Sequence, residues 1–75
     1  MQTLESILRD IGLAKVGRAC GVRHQAVMYW CRVGLPSRPG DAARRAEFER
    51  IIARMAGMKV GELRSIIAKE EGRAA

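Results

Sequence analysis

The chain has 75 residues, 48% of them hydrophobic, and its 14 basic and 8 acidic side chains give a net charge of +6. This length suits a single small domain with one core. No apolar run reaches the ~18 residues of a membrane-spanning helix, and the first residues lack the basic-then-apolar order of a secretory signal, so we expect a cytoplasmic protein.

The first predicted helix covers residues 3–11, where apolar side chains recur with the spacing of one helical stripe. They are Leu4, Ile7, Leu8 and Ile11. Thr3 suits the N-cap of this helix, and Gly12 suits a left-handed end. A second helix is expected from about Leu13 to Cys20 and is interrupted by Gly21.

A third helix is predicted from about His24 to Val33, ended by Gly34 and Pro36. A fourth is predicted from about Asp41 to Ala56, with Asp41 as its cap and Gly57 as its stop. Its inward stripe consists of Phe48, Ile51, Ile52 and Met55.

The fifth predicted helix runs from about Val60 to Glu70, and residues 71–75 are expected to fray. Its inward residues are Val60, Leu63, Ile66 and Ile67. Gly61 near its start costs about 1 kcal/mol relative to alanine if it is interior. Since no segment alternates apolar and polar residues as a strand does, we predict an all-α, five-helix domain covering residues 1–70.

Residues 13–33 match a helix-turn-helix, in which two short helices meet steeply across a three- to four-residue turn. Gly17 is the small residue of the first helix, and Gly21 tolerates the positive φ of the turn. The predicted packing residues are Val16, Cys20, Val22, Val27 and Trp30. The outer face of the second helix, which enters the major groove in such motifs, would carry His24, Gln25, Met28, Tyr29 and Arg32.

Acidic residues are missing between Asp10 and Asp41. We call residues 11–40 the acid-free segment; it holds five basic residues, which leaves nine basic and eight acidic residues in the rest of the chain. The five are Lys15, Arg18, Arg23, Arg32 and Arg38. A basic segment on a nearly neutral scaffold indicates a nucleic acid duplex as the partner.

The residues from Gly21 to Trp30, GVRHQAVMYW, resemble the GV-S-x-x-AV-S-x-W segment of small phage Cro-type repressors and YdaS-like antitoxin-type regulators. GLP at 34–36 resembles the G-(I/L)-P that follows the recognition helix in that family. FERII at 48–52 and VGELR at 60–64 are similar to its later segments. Two positions that hold serine in the family pattern are here Arg23 and Met28.

This resemblance implies a lambda repressor-like helix-turn-helix domain of bacterial or phage origin. It would act as a transcriptional repressor, binding a pseudo-palindromic DNA operator as a dimer. The base-reading positions carried over from the family are His24, Gln25, Met28, Tyr29 and Arg32. Phosphate contacts, which position the protein without specifying sequence, are expected from Lys15, Arg18, Arg23 and Arg38. For the dimer interface, the candidates are the apolar residues left over from the core, Met58, Val60 and Ile66.

Several alternatives accompany this interpretation. The chain would also suit an antitoxin that represses its own operon, or a protein-interaction module that uses the helix-turn-helix as a scaffold. Two residues have alternatives of their own: His24 is either a DNA contact or a solvated side chain without a special role, and the Tyr29 ring either touches DNA or covers the edge of the core.

Cys20, His24 and Cys31 are one ligand short of a closed zinc site, and their spacing matches no zinc-binding pattern. We therefore expect no metal, and free thiols rather than a Cys20–Cys31 disulfide. No catalytic set of residues stands out, so we predict a protein that is not an enzyme and takes no cofactor or small-molecule ligand.

The arginines of the fourth and fifth helices alternate with Glu47, Glu49 and Glu62, a pattern typical of a solvated helix face. Arg44 and Arg45 lie near a helix start, where the dipole disfavours cations. Their position suggests an additional phosphate contact.

Overall fold

The computed structural model describes residues 2–36 and 38–74, with side chains described to residue 70. This part of the chain forms five α-helices, one short 3-10 helix and no strand. They are α1 (Leu4–Ile11), α2 (Leu13–Cys20), α3 (His24–Val33), the 3-10 helix Pro39–Asp41, α4 (Ala42–Ala56) and α5 (Val60–Ala74). The predicted all-α, five-helix class is confirmed. No described helix is long and apolar enough to cross a membrane.

The predicted end of the fifth helix at Glu70 is too early, because the backbone of α5 is helical to Ala74. The side chains of residues 71–75 and the whole of residue 75 lie outside the described part of the chain. The fraying expected of these residues therefore stays a prediction.

A reciprocal cap begins α1. The Thr3 hydroxyl accepts a hydrogen bond from the Ser6 N–H at 3.1 Å, and the Ser6 hydroxyl accepts one from the Thr3 N–H at 2.9 Å. The Leu4 N–H donates to the Glu70 carboxylate at 2.6 Å, which joins the first helix to α5. A carboxylate is favourable at this positive helix end. Gly12 ends α1 with a φ of 107° and a ψ of 121°, outside the left-handed helical region that the sequence predicted.

The core includes Trp30, which is 5% exposed and whose ring centroid lies 4.8 Å from that of Phe48. All five helices and the loop after α3 contribute apolar side chains to it. The fully or nearly fully buried members include Leu4, Leu8, Val16, Val27, Ile52, Leu63 and Ile67. Cys20, Val22, Val60 and Ile66 are half-buried at its edge. Met55 is 37% exposed, so its predicted place on the inward stripe of α4 is wrong, and Ala53 is buried instead.

The turn between α2 and α3 leaves no room for a side chain at Gly17. The Val22 N–H donates to the Gly17 carbonyl at 2.8 Å, and a Cβ on Gly17 would lie 2.8 Å from the Val22 carbonyl oxygen. Gly21 ends α2 with a φ of 73° in the left-handed region. The predicted roles of Gly17 as the small residue and of Gly21 as the turn residue with positive φ are both confirmed. Together they allow the short turn between α2 and α3.

Asp41 occupies the N-cap position of α4 as predicted, but it does not cap the helix with its side chain. Its side chain makes no capping hydrogen bond, and its backbone has a ψ of 5° instead of the extended conformation that an N-cap adopts. Pro39 starts a 3-10 turn in which the Asp41 N–H donates to the Arg38 carbonyl at 2.9 Å. The chain is therefore already turning before α4 begins.

The predicted solvated position of Glu49 is also wrong. Glu49 is 6% exposed, and its carboxylate lies 3.6 Å from Arg45 on α4 and 3.1 Å from Arg64 on α5. Since α5 covers this face of α4, the carboxylate becomes an ionic link between the two helices. Arg44 lies over the Phe48 ring, 5.6 Å from its centroid. Both arginines suggested as extra phosphate contacts thus have partners inside the domain.

Gly17→Ala should destabilise the protein by about 1–3 kcal/mol, because the added methyl group would press on a backbone carbonyl that a side-chain rotation cannot move. Chemical denaturation followed by circular dichroism measures this change. Gly61→Ala is the matched control: a Cβ on Gly61 would meet no neighbouring group within 4 Å, and alanine is the better helix former by about 1 kcal/mol. Equal stability of the two variants would show that the Gly17 contact does not constrain the fold.

Candidate nucleic-acid interface

The inner face of α3 packs into the core, which leaves the outer face of the helix in solvent. Val27 and Trp30 are buried against the other helices, and α2 packs along α3 on one side. All five predicted base-reading side chains are exposed: His24, Gln25, Met28, Tyr29 and Arg32. Tyr29 is 63% exposed, so its ring does not cover the edge of the core as the alternative required.

The start of α3 is uncapped by any side chain. Arg23 occupies the N-cap in an extended conformation, with φ −77° and ψ 157°, and makes no side-chain capping hydrogen bond. The first turn of α3 contains no acidic residue. The positive end of the helix and the Arg23 guanidinium therefore lie at the same end of the exposed face, a combination that favours an anion.

The cations of the acid-free segment are exposed and uncompensated. They are Lys15, Arg18, Arg23, Arg32 and Arg38. Among the residues that the structure describes, none of these five lies within 4.0 Å of a carboxylate. By contrast, Arg9 pairs with Glu5 at 3.0 Å, outside this segment. The positive charge of the segment is thus available to a partner.

Two surface depressions adjoin the α3 face. The first is shallow and is lined by Gln25, Met28, Tyr29 and Arg32. The second lies at the end of α3, where its lining includes Tyr29, Val33, Arg38 and the carboxyl-bearing Asp41. Val33 is 62% exposed and was missed from the sequence. Its position four residues after Tyr29, on the same helical face, is the signal that would have found it.

The predicted dimer residues Met58, Val60 and Ile66 are half-buried against the core of their own chain. Only part of each side chain is therefore available to a second copy. Met55, which the sequence placed inward, is a further exposed apolar residue and shares a groove with Ile7, Ile11 and Met58.

The two cysteines, Cys20 on α2 and Cys31 on α3, are free thiols of intermediate burial. Burial, with a smaller contribution from the negative charge of Glu47, raises the pKa of the Cys20 thiol above its ordinary value. Burial also raises the pKa of the Cys31 thiol, and nearby Arg9 only partly opposes this effect. No group of three or more potential metal ligands is found among the described side chains.

Comparisons with protein-family models, with curated protein sequences and with solved structures give no match to the chain. What the exposed α3 face binds must therefore be inferred from its own residues and geometry.

Cys20 and Cys31 should react with iodoacetamide more slowly in the folded protein than after denaturation at about pH 8, because a raised pKa leaves less of the reactive thiolate. Mass spectrometry of timed samples measures the rate at each cysteine, and the denatured chain serves as the control. A folded product that lacks both free thiols, or a thiol that reacts faster before denaturation than after it, would contradict this assignment.

Proposed function

We propose that the chain is a sequence-specific, double-stranded DNA-binding transcriptional repressor with a lambda repressor-like helix-turn-helix fold. The observation that carries the proposal is the exposed outer face of α3, which lies in a segment that holds five exposed cations, Arg32 of that face among them, and no carboxylate. An exposed helix face within a basic, acid-free segment suits the DNA major groove.

The dimensions of α3 fit this role. Its 10 residues give a helix about 15 Å long and about 10–12 Å across with side chains, close to the ~12 Å width of the major groove. Gln25, in the first turn, offers the donor and acceptor that pair with adenine. Arg32, in the last turn, reaches guanine or a phosphate. Lys15, Arg18, Arg23 and Arg38 surround this face and supply the phosphate contacts.

One recognition helix covers too few base pairs to define a unique site, so we propose that two copies bind one operator. The molecule measures 30 × 29 × 21 Å along its principal axes. The usual half-site spacing is one DNA turn, ~34 Å, which is comparable to the longest extent of the domain, so two adjacent copies can each occupy one half-site. The exposed parts of Met58, Val60 and Ile66 are the first candidates for the dimer contact.

An antitoxin that represses its own operon would use the same DNA-binding face and would differ by also binding a toxin. A protein-interaction module would not bind DNA at all. Salt dependence separates the module from either DNA-binding candidate, because neutralising phosphates releases counterions and makes duplex affinity fall steeply with salt.

The logarithm of the affinity for a random-sequence duplex should fall with the logarithm of salt concentration by about 0.9 for each phosphate contact. Arg18→Ala should weaken binding to all sequences alike and reduce this slope by about one contact. Fluorescence anisotropy at a series of salt concentrations gives both values. Arg54→Ala, which removes the same charge from an exposed position on α4, should leave the slope unchanged. A salt-independent affinity of the unmodified protein would exclude the proposed function.

Gln25→Ala should relax the preference for one base pair in each half-site, at a cost of about 1–3 kcal/mol in discrimination. Selection of binding sites from a random duplex pool, performed in parallel with the unmodified protein, measures the preference at each position. Arg18→Ala is the control, since loss of a phosphate contact should leave the selected sequence intact. An unchanged preference in the Gln25→Ala pool would place the reading face elsewhere.

A further inference from the structure

Exposed apolar surface is concentrated on α3. Among the described residues, the large hydrophobic side chains that are exposed are Met28 (46%), Tyr29 (63%), Val33 (62%) and Met55 (37%). Three of these four belong to a single helix of 10 residues. Apolar surface left in water is unfavourable in proportion to its area, so a partner that covers this face with apolar atoms would gain affinity.

The apolar atoms are framed by polar groups. Gln25, Met28, Tyr29 and Arg32 follow one another at i, i+3, i+4 and i+7 and together line the shallow depression on the outer face of α3. The two apolar side chains lie in the middle, with Gln25 before them and Arg32 after them. Such a surface suits a partner that presents a small apolar group between hydrogen-bonding groups.

The charge around the depression indicates which partner this is. The neighbouring ionic groups of the acid-free segment are all cationic, and those that the structure describes have no carboxylate partner in the chain. This charge favours a polyanion as the partner that carries the apolar group. In the major groove of duplex DNA, the thymine C5-methyl is the apolar group among the donors and acceptors of the base edges.

We propose that Met28 and Tyr29 read thymine C5-methyl groups, so that affinity for the operator depends on the methyl group itself. This inference rests on the proposed DNA-binding function and adds to it a specific chemical recognition. Gln25 and Arg32 would contact the flanking base pairs through hydrogen bonds, and the two apolar side chains would select thymine between them. Recognition of this kind also distinguishes DNA from a duplex that contains uracil.

The test replaces thymine with deoxyuridine, one position at a time, in an operator selected by the unmodified protein. The replacement keeps every hydrogen-bonding group of the base and removes only the methyl. At one or two positions in each half-site, the affinity should fall about fourfold, the value expected for one buried methyl group. At the remaining thymine positions it should not change.

A double-mutant cycle assigns the effect to side chains. Met28→Ala and Tyr29→Ala should each weaken binding to the thymine operator, and at one position the deoxyuridine replacement should then cause no further loss. Met55→Ala is the matched control, since it truncates an exposed methionine on α4 and should retain the full effect of deoxyuridine. Circular dichroism melting of each variant verifies that the fold is retained.

The possible failures are distinguishable. Salt-dependent, sequence-specific binding that is indifferent to every deoxyuridine replacement would overturn methyl reading and leave the proposed function in place. Methyl dependence that persists in both alanine variants would overturn the assignment to these side chains. If the variants weaken dimerisation, measured by sedimentation, without changing the ratio of thymine to deoxyuridine affinity, the apolar face serves a second copy of the chain. Absence of salt-dependent DNA binding would remove both proposals together.

Discussion

The close approach of Gly17 to the Val22 carbonyl determines how α3 is presented. Because no side chain separates α2 from the turn, a hydrogen bond of 2.8 Å forms directly between the two backbones. Trp30 then anchors the inner face of α3 through its contact with Phe48. These two constraints hold the helix at its start and in its second half. The outward direction of Gln25, Met28 and Tyr29 follows from them, since residues on the opposite face of a fixed helix have no freedom to turn inward.

Stabilising polar interactions and the candidate interface occupy different parts of the chain. The carboxylate–arginine pairs formed by Glu5 and Glu49 lie outside the acid-free segment. The same is true of the cap at Thr3 and of the Glu70 hydrogen bond to the start of α1. A core of this size supplies only about 3–5 kcal/mol of net stability. Cations without an ion-pair partner and exposed apolar groups on α3 lower this stability, and the polar contacts of α1, α4 and α5 offset the loss away from the candidate interface.

The parts of the fold that were predictable from sequence depend on local chemistry. The bounds of α2 and α3 follow from glycines whose positive φ ends a helix, and the cap at Thr3 follows from its hydroxyl. The burial of Glu49 was not predictable, because it depends on where α5 packs and on Arg64, fifteen residues away. Asp41 failed as a cap because Pro39 had already turned the chain. In the candidate site, periodicity identified the outer face but stopped at Arg32, although Val33 continues it.

Arg23 at the N-cap of α3 is unfavourable for the free helix, and the proposed DNA complex offers an explanation for it. A side-chain cap is worth about 1 kcal/mol, and a cation at a helix N-terminus is disfavoured by a few tenths to about 1 kcal/mol. Arg23 makes no capping hydrogen bond, and it places a positive charge at the positive end of α3. A DNA phosphate at this position would accept hydrogen bonds from the free N–H groups and pair with the guanidinium, so that both losses in the free protein become gains on binding. In the proposed DNA complex, Arg23, which stands where the repressors that this segment resembles hold serine, would thus stabilise binding although it destabilises the free helix.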